Sequence, residues 1–70
     1  MITHHEVVLK GLLTKINRIT AGGEDIHDKN KHVNALHTYL TKISANEPID
    51  MDGLEMTIHR AKKFIERYYL

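Results

Sequence analysis

The sequence contains no cysteine. Disulfide bonds, thiolate metal ligands and a cysteine nucleophile are therefore all excluded. A chain of 70 residues forms one domain at most, and a core of that size rarely supplies more than about 3–5 kcal/mol of stability. Because such small domains often depend on oligomerisation when disulfides are absent, we expect residues 1–70 to form a single helical domain that assembles into a homodimer.

Long apolar segments and a charge excess are also missing. No stretch approaches the roughly 20 apolar residues that span a bilayer, and the first residues, MITHHEVVLKGLL, lack the basic start of a signal peptide. The net charge is +1 at pH 7, whereas strong non-specific binding of nucleic acid usually requires a large basic excess. We expect a cytoplasmic protein with no membrane partner.

Catalytic motifs are not recognisable either. The single serine, Ser44, follows no nucleophile motif, and Gly22-Gly23 matches neither of the common phosphate-binding loops. Paired acids such as Glu24-Asp25 stand where a helix is expected to begin, and capping explains them there. The sequence therefore predicts a protein that is not an enzyme and has no cofactor.

Histidine is abundant instead. The six histidines are His4, His5, His27, His32, His37 and His59. Two histidines on one face of a helix, three or four residues apart, are typical of a metal site, but those at 27, 32 and 37 are five residues apart and rotate around the helix. The pattern favours ordinary surface histidines over a metal site, with a pH-sensitive surface as the alternative.

Three segments repeat apolar residues at alternating spacings of three and four, which is typical of amphipathic helices. We predict helices over about 3–20, 28–44 and 51–69. The apolar series are Leu9, Leu12, Ile16 and Ile19, then Val33, Leu36, Leu40 and Ile43, then Met51, Leu54, Ile58, Ala61, Ile65 and Tyr68. Three such helices with short connections indicate an all-α antiparallel bundle.

Residues that favour helix ends separate these segments. Thr3 with Glu6 has capping-box spacing at the first helix, and Gly22-Gly23 is a natural break after it. The candidate caps of the later helices are Asp25 or Asp28 for the second, and Asp50 or Asp52 for the third. Asn46 is a candidate for the left-handed residue that ends the second helix.

Apolar residues beside the seams exceed what one small core needs, so we assign some of them to a dimer or partner surface. Its candidate residues are Val8, Leu13, Met56, Phe64, Tyr68 and Tyr69. Basic residues of the first and third helices are candidates for contacts with phosphate groups: Lys10, Lys15, Arg18, Arg60, Lys62, Lys63 and Arg67. The alternative for these bases is a solvated surface that complements the helix dipoles.

Short sequence matches along the chain point to a known family. They are Val8-Leu9, Thr14, Gly23-Glu24-Asp25-Ile26, Lys29-Asn30, Leu36-His37 and Arg67-Tyr68. This pattern resembles the YmgB/AriR biofilm-regulator family, which comprises small helical proteins of enterobacteria, over about residues 6–68. The chain departs from the family in having extra residues before the glycine turn and around 46–52, and in lacking a longer N-terminal extension.

The resemblance implies a dimeric helical protein that acts as a two-component connector. Biofilm and acid-resistance genes would be its readouts, through partner binding or weak, non-specific contact with DNA, and no catalytic residue is carried over. Our first hypothesis is thus a non-enzymatic regulatory protein that binds another protein. The alternatives are a small nucleoid-associated protein that binds DNA through its basic helix faces, and a phage- or plasmid-borne inhibitor of a host protein.

Overall fold

The computed structural model describes residues 3–68, and within this range the chain forms three α-helices and no strand. Helix α1 is His4–Asn17, α2 is Glu24–Ser44 and α3 is Met51–Glu66. Each helix packs against the other two, which confirms the predicted all-helical bundle. Of the predicted surface residues, Tyr69 lies outside the described range.

Two polar contacts define the directions of the helices. Lys29, near the start of α2, donates from Nζ to the carbonyl oxygen of Ile19 just after α1, at 2.9 Å. Tyr68, just after α3, donates its hydroxyl to a carboxylate oxygen of Asp25 in the first turn of α2. The start of α2 thus lies beside the ends of both α1 and α3, and α2 runs antiparallel to both.

The core contains apolar side chains from all three helices. Its buried members are Leu9, Leu12, Ile16, Ile19, Leu36, Leu54, Ala61, Phe64 and Ile65. The whole predicted series of α1 is buried, so the spacing identified its inner side correctly. In α2, by contrast, Leu36 is the one fully buried residue of a 21-residue helix that the structure describes throughout.

The seam of α3 is largely the predicted one, because Leu54, Ala61 and Ile65 are buried and Ile58 and Tyr68 pack against the core, but it differs at two residues. Met51, predicted in the seam, is 45% exposed, whereas Phe64, predicted beside it, is 2% exposed. Phe64 fills the space between α2 and α3, where its ring centroid lies 5.1 Å from that of His32 and 5.3 Å from that of Tyr68. Met51 begins the helix at the open end of the bundle, where fewer neighbours cover it.

Helix α1 begins as predicted but ends earlier. The Thr3 side chain accepts a hydrogen bond from the backbone N–H of Glu6 at 3.1 Å, which is the predicted cap, and Glu6 pairs with Lys10 at 3.6 Å. The helix ends at Asn17 rather than near residue 20. The backbone N–H groups of Arg18 and Ile19 then bond to the carbonyl oxygens three residues back. This tightened turn still places Ile19 in the core.

Helix α2 begins four residues before the predicted start, so neither Asp25 nor Asp28 is its cap. Gly23 takes the N-cap position with φ 59° and ψ −132° and no side-chain cap bond. That conformation is accessible to glycine and strained for other residues. Asp25 therefore lies in the first turn, where its charge complements the helix dipole.

The end of α2 and the bounds of α3 are set by short local contacts. Asn46 has φ 57°, its N–H bonds to the Ile43 carbonyl, and the Glu47 N–H bonds to the Lys42 carbonyl at 2.9 Å. This is a Schellman motif, and it confirms Asn46 as the left-handed residue. Asp50 takes the N-cap position of α3 without a side-chain cap bond, and the helix ends at 66 rather than 69.

Candidate functional site

The predicted apolar surface is not gathered into one patch. Phe64 is a core residue, and Tyr68 is half-buried and hydrogen-bonded to α2. Val8 and Leu13 are half-buried and pack against the core. Met56 is the one member with a largely exposed side chain in the described range, at 51%. A partner surface built from this whole set therefore requires side chains that the bundle already uses.

A second apolar series lies along one flank of α2, beside the fully buried Leu36. Ile26, Val33 and Leu40 follow one another at intervals of seven residues, which places them on one side of the helix. Ile26 is 42% exposed, whereas Val33 and Leu40 are half-buried and also pack against the core. We call these three residues the outer α2 series. The sequence analysis placed Val33 and Leu40 in the seam of α2, which their core contacts confirm, and it missed Ile26 because this residue precedes the predicted start of the helix at residue 28.

Polar residues alternate with this series. Asn30, His37 and Ser44 are exposed and also recur every seven residues, four residues after each apolar member. Together the two sets follow the 4–3 spacing of a coiled-coil seam along a helix of 21 residues, or about 31 Å. Half of the seam positions are polar, which weakens association but restricts the register in which two helices can pair.

The predicted basic residues are all exposed, but they do not form one surface. Lys10 already pairs with Glu6 on α1. Arg60 and Lys63 of α3 and Arg67, the helical C-cap residue just after it, have spacings of three and four residues and so share one flank. Lys62 is two positions after Arg60, about 200° around the helix, and lies on the opposite flank. The sequence analysis identified these basic residues but did not separate Lys62 from the flank that the others share.

A groove between α2 and α3 brings one of these bases together with residues of α2. It has a volume of about 380 Å³ and is lined by Asp28, Lys31, His32, Ala35, Thr57 and Arg60. The small side chain of Ala35 leaves room between the helices, and the charged side chains surround that space. We call this feature the α2–α3 groove.

His32 connects the groove to the core. Burial lowers the pKa of its imidazole below 6.5, and Lys31, Arg67 and Arg60 lower it further, whereas Asp28 acts in the opposite direction. Three cations and one carboxylate therefore surround the ring. Asp28 and His32 do not form the ion pair that their spacing permits, since no pair within 4.0 Å joins them in the described range.

Two further kinds of site were sought in residues 3–68. No group of three or more His, Asp or Glu side chains there is arranged to hold a metal ion. None of the described helices is long and apolar enough to cross a membrane. The α2–α3 groove and the outer α2 series are two of the features that could bind a ligand or partner.

Comparisons of the chain with models of protein families, with curated proteins and with solved structures found no match. The family resemblance described above therefore stays a prediction.

Proposed function

We propose that the chain is a non-enzymatic regulatory protein that acts by binding other proteins, and that its first partner is a second copy of itself. The observation that carries this proposal is the outer α2 series. The longest helix has one fully buried residue, Leu36. Ile26 is exposed, and Val33 and Leu40, which pack against the core on one side, stay half-exposed at heptad spacing from it.

The proposed contact pairs α2 with α2 of the second copy. Such a contact repeats the same surface on both sides, as a twofold axis requires. Covering Ile26 and the parts of Val33 and Leu40 that the core leaves exposed would add apolar burial, at roughly 25 cal/mol per Å². The alternating Asn30 and His37 favour a dimer of modest affinity and fixed register.

The regulatory role rests on the family resemblance. If it holds, the dimer would be a connector between signalling proteins, with biofilm and acid-resistance genes as its readouts. A bundle whose self-association is modest can exchange a copy of itself for another amphipathic helix, which is a common way to recognise a protein partner. We propose that partner binding uses the same outer α2 series.

Sedimentation equilibrium of the full chain at micromolar concentrations tests the self-association. We expect wild type to be dimeric and Ile26→Gln to shift the equilibrium to monomer. Because Ile26 is exposed and glutamine favours helix, the variant should keep its helical circular dichroism. Val7→Gln is the matched control, since Val7 is 58% exposed and lies on α1. A monomeric wild type, or equal effects of the two variants, would reject the proposed contact.

Non-specific DNA binding is a second candidate, favoured by the shared flank of Arg60, Lys63 and Arg67. A mobility-shift assay at low salt tests it by comparing Lys63→Glu with the control Lys62→Glu on the opposite flank. If DNA contacts this flank, Lys63→Glu should abolish the shift and Lys62→Glu should retain most of it. No shift with wild type would remove this candidate.

A further inference from the structure

We infer that the α2–α3 groove is a binding site for the phosphate group of a small molecule, a site that the proposed protein contact neither uses nor requires. Val33 of the outer α2 series lies about 160° around the helix from Ala35 in the groove. The two surfaces are therefore separate, and an experiment can reject binding at one of them without rejecting binding at the other.

The side chains that line the groove are mostly hydrogen-bond donors. The Arg60 guanidinium offers a planar pair of N–H groups that matches two phosphate oxygens, and the Lys31 ammonium adds a mobile positive charge. The imidazole of His32 and the hydroxyl of Thr57 can each donate one more bond. Arg60 and Thr57 come from α3 and the others from α2, so donors stand on both walls of the groove.

Thr57 differs from the other threonines inside the helices. The hydroxyls of Thr14, Thr38 and Thr41 each donate to the carbonyl oxygen four residues back, at 2.8–3.0 Å. The Thr57 hydroxyl makes no hydrogen bond with any residue of the range 3–68, although Thr57 lines the groove. A donor toward the groove is thus available that the bundle itself does not use.

Charge and size narrow the class of ligand. Lys31 and Arg60 have no ion-pair partner within 4.0 Å in the described part of the chain, and Arg67 adds a third positive charge near His32. Asp28 is the opposing charge and disfavours an anion. The volume of about 380 Å³ exceeds the size of a lone phosphate ion and is within the range of small-molecule sites, so we assign the groove to a pyrophosphate or a small phosphomonoester.

Titration of the isotopically labelled full chain with inorganic pyrophosphate tests the site, with chloride adjusted to constant ionic strength. We expect saturable NMR shifts at the backbone amides of His32 and Thr57 and at the His32 ring. Arg60→Gln and Lys31→Gln should each weaken binding by roughly fivefold or more, as expected for loss of a charge-assisted bond. Asp28→Asn should tighten binding, because it removes the repelling carboxylate.

Lys62→Gln is the matched control, because it removes one exposed positive charge from the other flank of α3, and it should change the affinity by less than about twofold. All four substituted side chains are exposed, so the helical circular dichroism should be retained. Citrate, used as a second anion, should bind more weakly than pyrophosphate. Shifts that do not saturate, equal effects of Lys62→Gln and Arg60→Gln, tighter binding of citrate, or weaker binding by Asp28→Asn would each overturn the inference.

Discussion

The Tyr68 hydroxyl donates a hydrogen bond of 2.5 Å to Oδ2 of Asp25, which is 43 positions earlier in the chain. This bond joins the turn after α3 to the first turn of α2, and it stands next to the contact between the rings of Phe64 and Tyr68. It therefore fixes the end of α3 against α2 at the point where no further helix follows in the described range.

Loss of this bond gives the first prediction. Tyr68→Phe keeps the ring and removes the donor, so we expect a lower melting temperature and earlier fraying of the end of α3. Asp25→Asn should have a smaller effect, because the amide oxygen still accepts the bond. Thermal circular dichroism and amide hydrogen exchange at residues 64–67 measure both effects. Unchanged exchange in Tyr68→Phe would contradict the role assigned to the bond.

The same bond predicts a pH dependence on the alkaline side. The hydrogen bond to Asp25 raises the pKa of Tyr68 above 10.0, and burial and the negative charge of Asp25 act in the same direction. Because the raised value belongs to the folded state, the contribution to stability is present below the unfolded pKa and is lost as pH rises through the folded one. Absorbance titration should show one tyrosine ionising above its ordinary pKa of 10.0, and Tyr68→Phe should remove that step.

The two glycines between α1 and α2 should respond differently to alanine. Gly23 has φ 59° and ψ −132°, a conformation that costs an alanine about 1–3 kcal/mol, so Gly23→Ala should destabilise the fold. Gly22 has no positive φ, and a Cβ there would meet nothing within 4 Å. Gly22→Ala is the control and should be neutral or slightly stabilising. Denaturant unfolding measures both, and equal effects would contradict the assigned turn.

The turn between α1 and α2 also shows which features a local sequence pattern can predict and which it cannot. The buried side of α1 could be predicted from the spacing of Leu9, Leu12, Ile16 and Ile19, because the helical period of apolar residues is a local property of the sequence. The start of α2 was placed four residues late, because Asp25 and Asp28 are both good cap residues by type. The choice of Gly23 instead depends on a backbone conformation and on a distant partner of Asp25, neither of which appears in a local pattern.

The candidate sites depended on tertiary packing even more strongly. Arg60 was identified as a candidate for phosphate contact, but Lys31, His32 and Thr57 were not. They join Arg60 because α2 and α3 pack side by side, with Phe64 of α3 against His32 of α2, and that pairing of helices is not visible in a local pattern. Ile26 of the outer α2 series was missed for a simpler reason, since it enters the helix only when α2 begins at residue 24, whereas Val33 and Leu40 were already in the predicted seam.

Alanine substitutions inside two helices test how closely the bundle is packed. Gly11 is exposed in α1, and a Cβ there would meet nothing within 4 Å, so Gly11→Ala should stabilise the protein by about 1 kcal/mol through helix propensity. At Gly53, a Cβ would run into the Tyr39 hydroxyl and come within 2.8 Å of an Asp50 carboxylate oxygen.

Because Tyr39 packs against the core, the displacement required by Gly53→Ala should outweigh the gain in propensity and lower the stability. Denaturant unfolding measures both effects. The midpoint of Gly11→Ala should lie above that of wild type, and the midpoint of Gly53→Ala should lie below it. A stabilised Gly53→Ala would mean that Tyr39 moves aside at little cost, and a destabilised Gly11→Ala would mean that α1 is covered by a neighbour at this position.

His32 predicts that stability falls on the acid side of neutrality. Its pKa is below 6.5 in the folded state, chiefly because burial disfavours the charged ring, so below that pH the unfolded chain binds more protons than the folded one. The stabilisation is complete above the unfolded pKa of 6.5 and is lost as pH falls through the lower folded value. A difference in unfolding free energy between about pH 8 and pH 5 should therefore depend on His32.

His32→Gln removes the titrating ring and should reduce this difference, even if loss of the contact with Phe64 lowers the stability at both values. His27→Gln is the matched control, since His27 is an exposed histidine of the same helix, and it should leave the pH dependence close to that of wild type. Comparing the change with pH, rather than the stability itself, separates protonation from packing. If His32→Gln retained the full wild-type loss of stability in acid, the burial of His32 would not be its cause.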